Sequence, residues 1–189
     1  MADAAIWRRL AEYAAADDPL TRASNRLALI LASNQPFYPL YVWFVTGEAS
    51  PLLALTFVST PFFVATPWIA RRFPRVGRLW LPAIGALNTY FCAYVFGEAS
   101  GVELFLAPCI IIAALSCRRS ERAALCYYLA GVCAAFALLH GRYGSPLYET
   151  GQAQYAALLS LNAYSAAILS VIAAWMFRRA RLEPDANGR

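Results

Sequence analysis

Long apolar runs alternate with short polar breaks along this chain, and that alternation predicts its architecture. Six runs stand out, at about 27–46, 52–70, 79–96, 102–117, 123–140 and 155–177. Most hold roughly 18 to 23 residues, enough at about 1.5 Å rise per residue to cross a hydrocarbon layer about 30 Å thick. The breaks alternate in character. Those after the second, fourth and sixth runs carry clustered arginines: Arg71, Arg72, Arg75 and Arg78, then Arg118, Arg119 and Arg122, then Arg178, Arg179 and Arg181. Those after the first and third runs are short and free of arginine, and the longer connection 141–154 holds only Arg142. Arginine and lysine favour the cytoplasmic side of membrane proteins. The expectation is therefore an all-α, polytopic membrane protein, with six transmembrane helices as three hairpins and both termini cytoplasmic. All 16 basic residues are arginine, and every one except Arg142 then lies inside.

The flanks are read separately. Residues 1–22 form a cytoplasmic N-terminal segment, 23–181 the membrane domain, and 182–189 a polar, disordered tail. Within the first segment, Ile6, Leu10 and Tyr13 fall near one face of a short helix over 3–15, as in a helix lying in the membrane interface. A loosely ordered tail is the other reading. Asp17-Asp18-Pro19 ends that helix. No secretory signal peptide is expected, because no small-residue cleavage pattern follows the first apolar run.

Two breaks repeat one motif. Gly47-Glu48-Ala49-Ser50 and Gly97-Glu98-Ala99-Ser100 are identical. Glycine can close the incoming helix in a left-handed conformation and serine can cap the outgoing one. Prolines interrupt the first two runs: Pro36 and Pro39, then Pro61 and Pro67. Each removes a helix hydrogen bond.

Composition narrows the function classes. The chain is 60% hydrophobic and only 14% charged, with a net charge of +5. The basic residues sit in anchor-like clusters rather than on an aromatic platform, so no nucleic-acid partner is expected. The five cysteines, Cys92, Cys109, Cys117, Cys126 and Cys133, form no CxxC pair and read as small hydrophobes. There is no lysine for a phosphate loop, no HExxH and no GxSxG, so no enzyme is expected, and no cofactor or metal. A single histidine excludes a bis-histidine haem within one chain.

Two polar sets are the candidates for ligand binding. At mid-depth stand Asn34, Gln35, Asn88 and Asn162, which either glue helices together or floor a polar pocket. Near the outer face stand Glu98, Glu103 and His140, with Glu48 and Glu149 close by in the turns. Glu103 lies one turn into an apolar run, where an ionisable group faces a cavity or a partner such as His140 or Arg142. The alternative is a solvated carboxylate favoured by a helix N-terminus.

The segment 96–122 carries a resemblance. Its Phe-Gly-x-x-Ser-Gly-Val-Glu-Leu-Phe-x-x-Pro, followed by an apolar run and Arg-Arg-Ser-Glu-Arg, resembles part of the six-helix membrane domains that precede bacterial class III adenylate cyclase, histidine kinase or diguanylate cyclase domains. The opening Asn25-Arg26-Leu27 and the kink at 36–41 are similar too. The resemblance implies a sensor or anchor in a bacterial inner membrane. It would bind a small or lipid-like ligand from the outer side and signal to a cytoplasmic partner, as a monomer or homodimer in the lipid bilayer. The cyclase or kinase domain itself has no counterpart in these residues. A small transporter or channel is the alternative, with the prolines as helix breaks.

Overall fold

The computed structural model describes residues 2–183, with side chains from residue 5 onward. It is all-α: 85% helical, without strands among the described residues. The helices are α1 (Ala2–Tyr13), α2 (Pro19–Asn34), α3 (Tyr38–Thr46), α4 (Thr60–Arg72), α5 (Pro74–Phe96), α6 (Leu106–Ser116), α7 (Arg122–Leu139) and α8 (Gln152–Leu182). Short 3-10 segments join several of them, notably Gln35–Phe37, Pro51–Ser59 and Val102–Phe105.

Four helical stretches are long and apolar enough to cross a membrane: Pro51–Arg72, Pro74–Phe96, Arg119–Leu139 and Gln152–Leu182. The other two predicted runs differ. Val102–Ser116 is a shorter apolar helix. The first run is broken in the middle, where Pro36 cannot donate and α2 gives way to the Gln35–Phe37 turn before α3 resumes.

Local chemistry sets several boundaries away from their expected places. α2 begins at Pro19 rather than near residue 27, because Asp18 is its N-cap, accepting the Thr21 N–H, and proline fits the first helical position. The arginine cluster around 71–78 is hardly a loop. α4 runs to Arg72 and α5 restarts at Pro74, leaving only Phe73 between them. Gly77 makes this sharp turn possible: a Cβ there would stand 2.5 Å from the Ala70 Cβ. The tail expected to be disordered from 182 is helical through Leu182, and Glu183 pairs with Arg22. Residues 184–189 lie outside the described residues.

The repeated turn behaves as its residues demand. Gly47 and Gly97 both close their helices with positive φ, 73° and 76°. Ser50 accepts the Leu52 N–H, and Ser100 accepts the Val102 N–H. Both following segments open as 3-10 turns. The two turns differ in what lies against them. Gly101, also left-handed, packs so closely on Leu159 of α8 that a Cβ would meet its Cδ1 at 2.3 Å, whereas nothing approaches a Cβ at Gly47 within 4 Å.

Packing is centred on α2, α4, α5, α6 and α8. Near the arginine clusters the core joins Leu27, Phe63, Leu81, Ile112 and Phe177. Near the Gly-Glu-Ala-Ser turns it joins Val42, Leu53, Val95, Phe96 and Leu158. Fully buried alanines, Ala28, Ala93, Ala113 and Ala173, let the helices approach closely. Large apolar side chains point outward instead, Phe44 being 86% exposed and Tyr127 80%. That distribution suits a hydrocarbon surrounding and would be unusual in water. α7 is the outlier: Val132 is its only buried residue. α1 turns Ile6, Trp7 and Leu10 outward, whereas Tyr13, expected on the same face as Ile6 and Leu10, is half-buried and donates its hydroxyl to the Val64 carbonyl.

Candidate functional site

Six of the seven predicted residues separate into two places, Asn162 stands apart from both, and the structure adds a further polar centre that the sequence did not single out.

At the end of the bundle bearing the Gly-Glu-Ala-Ser turns, three glutamates grip the connection between α7 and α8. Glu48 accepts hydrogen bonds from the Tyr148 hydroxyl at 3.2 Å and the Thr150 hydroxyl at 2.9 Å. Glu98 accepts the Gly141 N–H. Glu103 meets His140, with Nδ1 at 2.8 Å from Oε2, while its Oε1 accepts from the Tyr143 hydroxyl at 2.9 Å. His140 Nδ1 also lies 3.8 Å from Glu98 Oε1. Of the two partners considered for Glu103, His140 is thus the one it meets. Burial, followed by the hydrogen bond to Glu103 and its charge, pushes the Tyr143 hydroxyl up, which keeps it a donor. Burial and the neighbouring Glu48 push Tyr148 up in the same way, against the hydrogen bonds that favour its ionised form.

At mid-depth, a cavity of about 130 Å³ lies between α2, α5 and α6. Asn34, Gln35 and Asn88 all line it, with Tyr38, Leu81, Gly85, Cys92 and Cys109 among its walls. The break between α2 and α3 supplies Asn34, Gln35 and Tyr38, so the proline kink creates part of this wall. The three amides differ in occupation. Gln35 is committed to the neighbouring segment: its Nε2 donates to the Thr56 carbonyl at 3.2 Å and to Ser59, and its Oε1 accepts from Thr60. Asn34 has only a long contact from the Tyr41 hydroxyl, 3.5 Å, and Asn88 one from the Cys92 thiol, 3.9 Å. Gln35 therefore acts as glue, while Asn34 and Asn88 keep hydrogen-bonding capacity. Asn162 stands elsewhere. Fully buried, it accepts from the Tyr38 hydroxyl at 3.2 Å and donates to the Ser100 carbonyl at 2.9 Å, pinning α8 to the second repeated turn.

The third centre lies at the arginine-rich end. Arg78 on α5 is buried, 3% exposed, between Asp18 and Glu121, and also donates to the Thr21 hydroxyl at 3.1 Å. Arg118 binds the other Asp18 oxygen at 2.8 Å. Burial raises the Asp18 carboxyl, but hydrogen bonds from Thr21 and Arg118 and the charges of Arg78 and Arg118 outweigh it and hold the group below the usual carboxylate range. At Glu121 burial also opposes ionisation, and the Arg118 N–H, Arg78 and Arg75 outweigh it, so its carboxyl too is lowered. A cleft of about 720 Å³ adjoins this network, lined by Asp17, Asp18, Arg22, Asn25, Arg71 and Arg118. The Arg78 Nε and Asn25 Oδ1 have no protein partner.

Tyr38, Tyr143 and the whole Asp18–Thr21–Arg78–Arg118–Glu121 network are polar components that sequence reasoning passed over. Asp18 carried a usable signal, an aspartate before a proline at a helix start. Arg78 was hidden by its three neighbours, since one explanation, membrane sidedness, accounted for all four.

No protein-family model matches the chain, no curated protein is similar to it, and no solved structure matches it. The resemblance to bacterial six-helix sensor domains therefore rests on its motif residues alone.

Proposed function

We propose that this chain is a multi-pass membrane sensor module with six crossings and both termini in the cytoplasm. It takes up a small apolar or lipid-like ligand from the outer side at the mid-depth cavity and passes the occupancy to a cytoplasmic partner. One observation carries this reading. α2 and α5 line the cavity through Leu31, Asn34, Leu81 and Asn88, and the same two helices hold Thr21 and Arg78 of the ionic network at the arginine-rich end. A ligand that moves α2 against α5 must therefore load that network, which also includes Glu121 at the start of α7 and, through Arg118, the end of α6.

Cavity size limits the ligand. An apolar cavity of about 150 Å³ accommodates a benzene-sized molecule, so about 130 Å³ suits a single ring or a short acyl segment. Its walls are mostly apolar, and the free amide capacity of Asn34 and Asn88 would select one polar group on that molecule.

The test uses purified protein in detergent, probed with single-ring alcohols and short-chain fatty alcohols. The expected result is a rise in melting temperature that Asn88→Leu and Gly85→Val abolish, the latter because Gly85 already faces the Cys109 sulfur at 2.8 Å from a would-be Cβ. Indifference of the protein to every such probe would refute ligand sensing at this cavity. Sidedness is tested independently with single cysteines in a cysteine-free background. Membrane-impermeant maleimide applied outside intact cells should label position 145 and spare position 75.

A further inference from the structure

We propose that Glu98, Glu103 and His140 bind one divalent transition ion of the zinc type, which clamps the end of α7 to the turn between α5 and α6. No metal is expected from the residues in their linear order; the three-dimensional arrangement points to one.

The three donors come from three different elements: the 3-10 turn after α5, the start of the α6 segment and the residue after α7. One ligand atom from each lies within 4.8 Å of the others. The Nδ1 of His140 stands 2.8 Å from Glu103 Oε2 and 3.8 Å from Glu98 Oε1. Zinc bonds of about 2.0–2.1 Å at tetrahedral angles place donor atoms roughly 3.3 Å apart. The two separations from Nδ1 straddle that value, and the third, between the carboxylates, is no more than 4.8 Å, so small side-chain rotations would complete the geometry.

Charge points the same way. Two carboxylates converge on one imidazole, and among the described residues the only ion-pair partner of either is His140. A divalent cation would cancel the excess negative charge. The arginine-rich end, by contrast, meets its carboxylates with guanidinium groups and has none to spare for a metal.

The supporting groups are those a metal site uses. The Tyr143 hydroxyl holds the Glu103 oxygen that faces away from the imidazole, the Gly141 N–H holds Glu98, and the Phe136 ring stacks on His140 at 4.7 Å and 20°. Such outer partners fix the orientation of metal ligands. An open groove of about 540 Å³, walled by Glu98, Glu103, Val132 and Phe136, leads to the ligand atoms. On binding, the ion replaces the hydrogen between Nδ1 and Glu103, and the imidazole proton sits on Nε2. A mixed imidazole–carboxylate set suits zinc, cobalt or manganese, whereas calcium and magnesium favour all-oxygen sites.

The ion would have a definite mechanical effect. α7 buries only Val132; the Arg78–Glu121 pair anchors its start, and beyond that the Tyr90 hydroxyl on the Val132 carbonyl and the Tyr128 hydroxyl on the Pro82 carbonyl join it to α5. A metal bridge would anchor its far end to the bundle.

The experiment uses untagged, metal-stripped full-length protein in lipid nanodiscs, titrated calorimetrically with Zn²⁺ alone. One ion per chain is expected, with affinity at least tenfold weaker in His140→Ala and Glu103→Gln, about tenfold weaker in Tyr143→Phe, and unchanged in Glu48→Gln. A thousandfold excess of Ca²⁺ or Mg²⁺ should not displace it. Because His140 is the chain's only histidine, Cu²⁺ bound to the unaltered protein should show one coordinated imidazole by pulsed electron paramagnetic resonance, a readout independent of how the variants fold. Absence of a stoichiometric ion, of the imidazole signal, or of any effect of His140→Ala would each overturn the proposal, as would equal competition by Ca²⁺. The site shares no residue with the mid-depth cavity, so this outcome and that of the ligand test are read separately.

Discussion

The two polar ends of the bundle use the same charged chemistry to opposite effect. At the arginine-rich end, Arg78 and Arg118 face Asp18 and Glu121, and Arg78 is nearly inaccessible. At the glutamate end, Glu98 and Glu103 face a half-exposed His140. The first arrangement is balanced and closed, the second unbalanced and open. A balanced, buried set stabilises one packing of the helices that it joins. An unbalanced one is receptive, because something positive can still be added to it.

The contrast is broken most severely at Arg78. Arg78→Met leaves Asp18 and Glu121 partly buried without their central cation, and breaking a buried pair from one side costs about 3–5 kcal/mol. Chemical denaturation in detergent should show a loss of that size. Glu98→Gln, at the other end, should leave stability unchanged or slightly raised in metal-free protein, since it relieves like charge. Equal losses in the two variants would erase the distinction.

Acid attacks the same difference. Folding lowers the Asp18 and Glu121 carboxyls. Their contribution to stability is therefore fully present above the ordinary carboxylate range and disappears as pH falls through their lower folded values. Hydrogen exchange of the α2 and α5 amides near Thr21 and Arg78 should stay slow from neutral pH down to that range and quicken only below it. Quickening well above it would show that these carboxylates are not held by the arginines.

Asn162→Leu gives a smaller effect, about 1–3 kcal/mol, by stranding the buried Ser100 carbonyl and the Tyr38 hydroxyl. It should loosen the glutamate end while leaving the arginine-rich end intact, which amide exchange at residues 98–103 and 18–24 can distinguish. The smallest loss is expected from Glu48→Gln, about 0.5–1.5 kcal/mol, since a neutral amide oxygen can still accept from Tyr148 and Thr150.

Much of the helical framework was legible because apolar runs and glycine–serine turns are local signals. Gly47, Ser50, Gly97 and Ser100 adopt the roles their chemistry suggests. The turn at Phe73 was not legible, because hydropathy counts Arg71 and Arg78 as loop although the helices continue through them. The break at Pro36 was readable, but its partner Tyr38 was not, since its bond to Asn162 joins residues 124 positions apart. Depth alone narrowed the partner of Glu103 to His140 or Arg142, and only the packing of α7 decides for His140. The splitting of the amides into one that glues, two that keep hydrogen-bonding capacity in the cavity and one that pins a turn depends on helix rotation, which a nearly uniform apolar sequence leaves undetermined.

The ion pair between Arg22 and Glu183 has a practical corollary. It joins the entry of α2 to the exit of α8, so probes carried at those two helix ends lie side by side. A donor dye and an acceptor dye attached at positions 17 and 182 should therefore exchange energy efficiently. The efficiency of that transfer would report whether α2 and α8 stay together when the protein changes shape.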